Sequence, residues 1–163
     1  MTWTPERLLA HLDELGVATR TVHHRAVFTV EEARTLRHRL PGGHTKSLFL
    51  RDKKGRMILA TIDADRRADL EAIASQAGTR RLSFGSPRRL DLRLGVVPGA
   101  VSPFAVVNDP EGLVPVWLDA TLMAHDVVWL HPLDNTMSTS IAPADLVRFL
   151  ETVGHPPAYL RDE

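Results

Sequence analysis

Lys46 is the residue of this chain hardest to explain as mere scaffolding. It stands in Gly43-His44-Thr45-Lys46-Ser47-Leu48-Phe49-Leu50, an apolar strand pattern that begins directly after Pro41-Gly42-Gly43. Desolvating an ammonium group is costly unless a partner compensates. Lys46 therefore either snorkels along its stem to water or waits for an anion. Two other segments have the composition of site-building loops. Gly95-Val96-Val97-Pro98-Gly99-Ala100-Val101-Ser102-Pro103-Phe104 carries two glycines and two prolines. His131-Pro132-Leu133-Asp134-Asn135-Thr136-Met137-Ser138-Thr139-Ser140-Ile141 is a polar run between apolar stretches.

The usual catalytic signatures are missing. There is no Gly-x-Ser-x-Gly elbow, phosphate-binding Gly-Lys-Ser/Thr loop or dinucleotide fingerprint. Cysteine is absent, which excludes a thiolate nucleophile and disulfides. The eight histidines form no His-x-x-x-His pair and no Glu-flanked metal motif. His23 and His24 would point to opposite faces of a strand and chelate poorly. No metal and no cofactor is expected, although a zinc site built from distant histidines stays open at this level. The absence of these signatures matters less if the bond to be cut is already activated, because a placed water and a stabilised oxyanion can then suffice without a nucleophilic side chain.

The elements that position these residues can be read from caps and periodicity. Thr4-Pro5 starts a helix with Leu8, Leu9, Leu12 and Leu15 on one face, ended by Gly16. A short strand spans 20–23. Thr29 and Glu32 form a capping box for a helix carrying Arg34, Arg37, His38 and Arg39. Strands 45–51 and 56–61 flank Asp52-Lys53-Lys54-Gly55 as a hairpin. Residues 64–76 read as a helix stopped by Gly78, and 81–84 as a strand. Ser86-Pro87 opens another helix that stops at Gly95. Strands 104–107 and 114–118 read as a second hairpin around Asp109-Pro110-Glu111-Gly112. A helical turn at 120–124, strands at 127–130 and 139–141, and a helix over 143–153 complete the chain. The expected class is α+β, with a mixed, mostly antiparallel central sheet and surrounding helices. With no linker, repeat or low-complexity tract, residues 1–163 are expected to form one domain.

Lys46, the Gly99–Pro103 loop and the His131-Pro132-Leu133 segment occur in the order found in the YbaK/prolyl-tRNA editing family. The chain resembles that family from about Thr4 to Tyr159, and its free-standing alanyl-tRNA(Pro) deacylases most of all. The resemblance implies a single editing domain that hydrolyses mischarged tRNA(Pro), chiefly Ala-tRNA(Pro). Cys-, Ser- or Thr-charged tRNA, or a non-catalytic module binding tRNA or a synthetase, are the alternatives. It implies that Lys46 anchors the tRNA 3′ end and that Gly99 turns a backbone N–H toward the scissile carbonyl, helped by a φ above zero. His131 would shape the pocket or orient a water; a histidine ending a strand is the plain alternative.

Ala100, Val101, Ser102, Asn135, Thr136, Ser138 and Thr139 are the expected substrate contacts, the last four through neutral hydrogen bonds. Arg34, Arg37, His44, Lys53 and Lys54 are the expected tRNA contacts, against the plain reading of a solvated charged face. The partners implied are tRNA(Pro) and prolyl-tRNA synthetase.

Charge agrees with a limited footprint. Lysine plus arginine equal aspartate plus glutamate, 20 against 20, whereas proteins that coat nucleic acid are basic. Met1-Thr2-Trp3-Thr4-Pro5 leads straight into a helix, so no signal peptide and no membrane span are expected, and the setting is expected to be cytoplasmic. A proline-sized synthetase pocket rejects the smaller alanine weakly, because each missing methylene is worth only about 1–3 kcal/mol. A second, narrower site can remove the error. Val22, Phe28 and Leu48 are the residues expected to do the narrowing.

Overall fold

Side-chain caps fix where four helices begin. The computed structural model describes residues 2–27 and 29–162. Helix α1 (Pro5–Glu14) is capped by Thr4, whose Oγ1 accepts from the Arg7 amide. Thr29 likewise caps α2 (Val30–Arg39) through the Glu32 amide, and Ser86 caps α4 (Pro87–Leu94) through Arg89. Each cap satisfies an amide that has no partner inside its helix. Helix α3 runs Leu70–Ala77 and starts at its own cap, Asp69. The sequence had suggested a start at 64, but residues 64–66 form a turn and 67–69 have no regular structure. Helix α5 (Pro143–Thr152) closes the series.

The strands are β1 (Thr19–His23), β2 (Gly43–Arg51), β3 (Met57–Asp63), β4 (Ser83–Phe84), β5 (Val116–Asp119), β6 (Val128–Leu130), β7 (Met137–Ile141) and β8 (Ala158–Leu160). They form one sheet in the order β1-β7-β6-β2-β3-β5-β8, with β4 also pairing β2. Pairs β1–β7, β2–β3, β2–β4 and β6–β7 are antiparallel; β2–β6, β3–β5 and β5–β8 are parallel. The α+β reading with a mixed sheet holds.

Both faces of the sheet are covered. Phe49, Leu59 and Leu118 belong to the larger core beneath α1, α4 and α5, while Leu50, Ile58 and Ala60 belong to a smaller one with Ile73 of α3. Residues 57–62 of β3 are therefore all buried, which is why that strand reads as an unbroken apolar run.

Two expectations fail here. Residues 103–108 form a 3-10 helix rather than a strand, with Phe104, Ala105, Val106 and Val107 all buried. Pro103 sits in its first turn and Ser102 caps it through the Phe104 amide. A short buried apolar run carries no periodicity that separates strand from helix. The second hairpin accordingly does not exist, and β5 pairs in parallel with β3 instead. Strand β8 was not anticipated at all. It follows His155, whose Nε2 lies 2.9 Å from the buried Asp109 carboxylate. No helix among the described residues is long and apolar enough to cross a membrane.

Candidate active site

The two glycines before Lys46 let β2 start against β6. Gly42 has a φ of 120°, a conformation other residues rarely adopt. At Gly43 a Cβ would stand 2.5 Å from the His125 ring, so only a bare backbone can pass there. Strand β2 then pairs with β6 at only two positions, Gly43 with Val128 and His44 with Trp129. Beyond them the strands part. Thr45 Oγ1 donates to the Trp129 carbonyl at 2.8 Å, and Trp129 Nε1 donates to the Pro41 carbonyl at 2.9 Å, pinning the fork.

A cleft of about 490 Å³ opens at this fork, a size usual for small-molecule sites. Helix α2 walls it through Val30, Ala33 and Leu36, the 98–102 loop supplies Pro98, Gly99, Val101 and Ser102, and Lys46, His131 and Ser138 come from the sheet. Lys46 and Gly99 thus face one hollow although 53 positions separate them in sequence (99 minus 46). Lys46 is half-buried and makes no ion pair with the described residues. Among the described residues no aspartate or glutamate lines the cleft. Its charged groups are cationic, and a partly desolvated ammonium without a counterion attracts an anion strongly.

The 98–102 loop is held close rather than twisted. Gly99 does not have a positive φ, contrary to the sequence-based expectation. A Cβ at 99 would lie 2.8 Å from Asn135 Nδ2, so the Asn135 amide would have to shift to admit one. No backbone acceptor among the described residues takes the Gly99 N–H. Ser102 ties the loop to the end of β6, its hydroxyl donating to the His131 carbonyl at 2.6 Å. Ala100 is buried in the main core and does not line the cleft.

His131 has a fixed tautomer. Its Nδ1 is 2.8 Å from the Met137 carbonyl; a carbonyl only accepts, so Nδ1 carries the proton and Nε2 presents a lone pair. Burial pushes the imidazole below its ordinary pKa, against the opposing pull of the Met137 bond and Asp134. His131 is neutral at pH 7. The turn that follows keeps Leu133 at a φ of 68°, a strained state for a branched side chain.

Of the other polar residues in this segment, only Ser138 lines the cleft. Its Oγ lies 2.8 Å from His24 Nε2. Thr139 is fully buried and bonded to Thr21, because alternation along β7 sends it to the opposite face. Thr136 is exposed and closes a turn on Asp134. Asn135 stands behind Gly99, with Nδ2 3.4 Å from the Val27 carbonyl. His24 and the buttressing part of Asn135 were invisible in the sequence, since His24 depends on Ser138, 114 positions away, and Asn135 on Gly99, 36 positions away (135 minus 99). Val22 and Leu48, expected to narrow the pocket, do not line it; Phe28 lies outside the described residues.

The expected tRNA contacts divide. Arg34, Arg37, His38 and His125 line a groove adjoining the cleft, with Arg37 and His44 on the shared wall. Arg37 is paired at 3.1 Å with Asp65, an exposed carboxylate that can be exchanged cheaply. His44 Nε2 is 2.8 Å from the Leu40 carbonyl, so its Nδ1 is an acceptor. Burial holds its pKa below the ordinary value. A neutral acceptor suits a phosphate poorly, which argues against His44 as an anion contact. Lys53 and Lys54 sit at the far tip of the β2–β3 hairpin, seven or eight residues past Lys46 and so about 23–26 Å along the strand. They do not join the cleft. Among the described residues no group of three histidines or carboxylates is gathered to hold a metal.

Comparison with known proteins agrees with this geometry. A family model described as aminoacyl-tRNA editing domain matches residues 24–149. The prolyl-tRNA editing protein ProX of Acetoanaerobium sticklandii is 35% identical over 151 residues, covering 92% of each chain. The prolyl-tRNA synthetase associated domain-containing protein 1 of Danio rerio is 38% identical over 151 residues, 91% of this chain and 82% of the relative. The multifunctional Ser/Thr-tRNA deacylase ProXp-y of Escherichia coli is 32% identical over 161 residues, 91% and 94%. A crystal structure of a proposed trans-editing enzyme for prolyl tRNA synthetase superimposes over the full length of both chains with a TM-score of 0.72 at 23% identity. That last likeness is one of fold.

Proposed function

Because the chain belongs to the aminoacyl-tRNA editing domain family and is an aminoacyl-tRNA deacylase, we propose that it acts in trans on mischarged tRNA(Pro), above all on Ala-tRNA(Pro). The observation that carries this reading is that Lys46, with no ion-pair partner among the described residues, shares one cleft with Gly99 and His131 that none of the described carboxylates lines. Lys46 anchors the phosphate of the terminal nucleotide. The water oxygen attacks the ester carbonyl, the Gly99 N–H takes the developing oxyanion, and His131 Nε2 accepts a hydrogen bond from the attacking water. The bond between acyl carbon and ribose oxygen breaks, one proton of the water ends on the ribose oxygen and the other passes to solvent, and the amino acid leaves as its carboxylate. Such chemistry is positioning and electrostatics. Substrate identity rests on the prolyl-tRNA editing relative and on double-sieve logic.

A second reading is favoured by one observation, the 32% identity to a protein named as a Ser/Thr-tRNA deacylase. In it the cleft also takes seryl or threonyl groups. A deacylation panel of Ala-, Ser-, Thr-, Cys- and Pro-charged tRNA separates the two. Turnover of Ala-tRNA(Pro) with Pro-tRNA(Pro) spared is the expected result. Preference for Ser or Thr selects the second reading, and no turnover of any member overturns both. The names of the relatives also support prolyl-tRNA synthetase as a partner, and charging of tRNA makes the cytoplasm the proposed setting.

A further inference from the structure

His24 enters none of the chemistry above, yet its surroundings define its tautomer. Its Nδ1 lies 2.8 Å from the Arg25 carbonyl, so that nitrogen donates, and in the neutral ring Nε2 is an acceptor. The contact at Nε2, 2.8 Å away, is Ser138 Oγ. The single hydroxyl proton of Ser138 is then committed to His24. Toward the cleft, Ser138 can offer only lone pairs.

The neighbouring imidazole behaves the same way. The ring centroids of His24 and His131 are 6.2 Å apart, and His131 donates its Nδ1 proton to Met137. Two groups at this end of the cleft, Ser138 Oγ and His131 Nε2, are thus acceptors. The opposite end is a donor. Register aligns His44 with Trp129 and Trp129 with Ser140, so Lys46 and Ser138 are each two residues further along their strands on the same face. Two strand spacings, at least about 9–10 Å, separate them. The cleft has a cation at one end and paired acceptors at the other.

Resting on the deacylase reading, we infer that Ser138 forms the subsite for the α-ammonium of the aminoacyl group, beside the water-binding His131, with His24 as the positioning residue that turns the Ser138 lone pairs inward. The polarity fits an aminoacyl nucleotide in one orientation, phosphate on Lys46 and ammonium on Ser138. In the reverse orientation the ammonium would face Lys46, and like charges repel.

The test compares Ala-tRNA(Pro) with N-acetyl-Ala-tRNA(Pro), which lacks the charge and two of the three N–H donors. Wild type should favour the free amine by roughly tenfold to a hundredfold in kcat/KM, the worth of one charge-assisted hydrogen bond. Ser138→Ala should raise KM for the free-amine substrate and leave the acetylated one nearly unchanged, collapsing the preference. His24→Leu should do the same with Ser138 intact, and His24→Gln, whose amide oxygen can accept the serine proton, should recover most of it. A circular dichroism melt checks that each variant folds. Equal hydrolysis of the two substrates by wild type, or an unchanged preference in folded S138A and H24L, overturns the subsite while leaving the deacylase reading intact. Failure to hydrolyse either substrate overturns both.

Discussion

Gly99 and Asn135 stand so close that a Cβ at position 99 would lie 2.8 Å from the Asn135 amide nitrogen and force that amide to shift. The contact locks the 98–102 loop against the turn after β6 and sets where the Gly99 N–H stands. Gly99→Val should push Asn135 aside, move that N–H and cut kcat by at least about a hundredfold, the scale of losing one oxyanion donor. Gly99→Ala should lose less, and adding Asn135→Ala to it should restore part of the rate. Single-turnover deacylation measures all three, and wild-type rates in G99V would show the loop to be scaffold.

Lys46 has no ion-pair partner among the described residues, so removing it breaks nothing that holds the fold. Lys46→Ala should lower kcat/KM by about tenfold to a hundredfold, the worth of a charge-assisted contact, and leave the melting temperature nearly unchanged. The logarithmic salt dependence of wild type should be shallow, and in the variant less steep by about one phosphate contact. A large loss of melting temperature, or an unaltered rate, would remove Lys46 from substrate binding.

His131 predicts the shape of the pH profile. Burial lowers its pKa from the ordinary histidine value, so Nε2 remains unprotonated through pH 7 and is lost only on acidification. Activity should hold flat down to the ordinary histidine range and fall below it, and His131→Gln should remove that acid limb along with most of the rate. The same depression bears on stability. The unfolded chain takes up the proton at higher pH than the folded one, so His131 makes the fold less stable as pH falls below about 6.5. An acid limb centred above that value would contradict the neutral, carbonyl-bound ring.

Asp119 is a stability prediction away from the cleft. It is fully buried and accepts from Arg66 Nη1 at 2.9 Å, from the Thr121 amide and hydroxyl, and from the Asp63 amide. Burial by itself would raise its pKa, but the Thr121, Asp63 and Arg66 hydrogen bonds outweigh it and hold the carboxyl below its ordinary value. Its stabilisation is present above the ordinary aspartate pKa and disappears as pH drops through the lower, folded value. Asp119→Ala should cost about 3 kcal/mol, the low end for breaking a buried pair, since Arg66 is 40% exposed. Urea denaturation at pH 7 checks this, with deacylation by the folded fraction unaffected.

The sequence disclosed those parts of the fold that local chemistry determines. Thr29 with Glu32, Ser86 with Pro87, and Gly95 mark helix ends because a cap is settled within four residues. It did not disclose β8, or the 3-10 helix at 103–108, because the partners that decide them, β5 and the core under α4 and α5, are distant in sequence. The site divides the same way. Lys46 after two glycines, and the Gly99 loop, stand out locally. Thr139 could not be told from Ser138 without the phase of β7, and His24 became interpretable only once β1 and β7 were paired.

Strands β2 and β6 separate after two pairs, so the base of the aperture is set by where the main chains of the two strands diverge. Exchanging one wall residue trims the space without moving the frame, whereas shifting the point of divergence, at Gly42, Gly43 or Trp129, re-dimensions everything beyond it. Evolution of a new amino-acid preference on this scaffold would pass through the hinge of the fork before it passed through the lining.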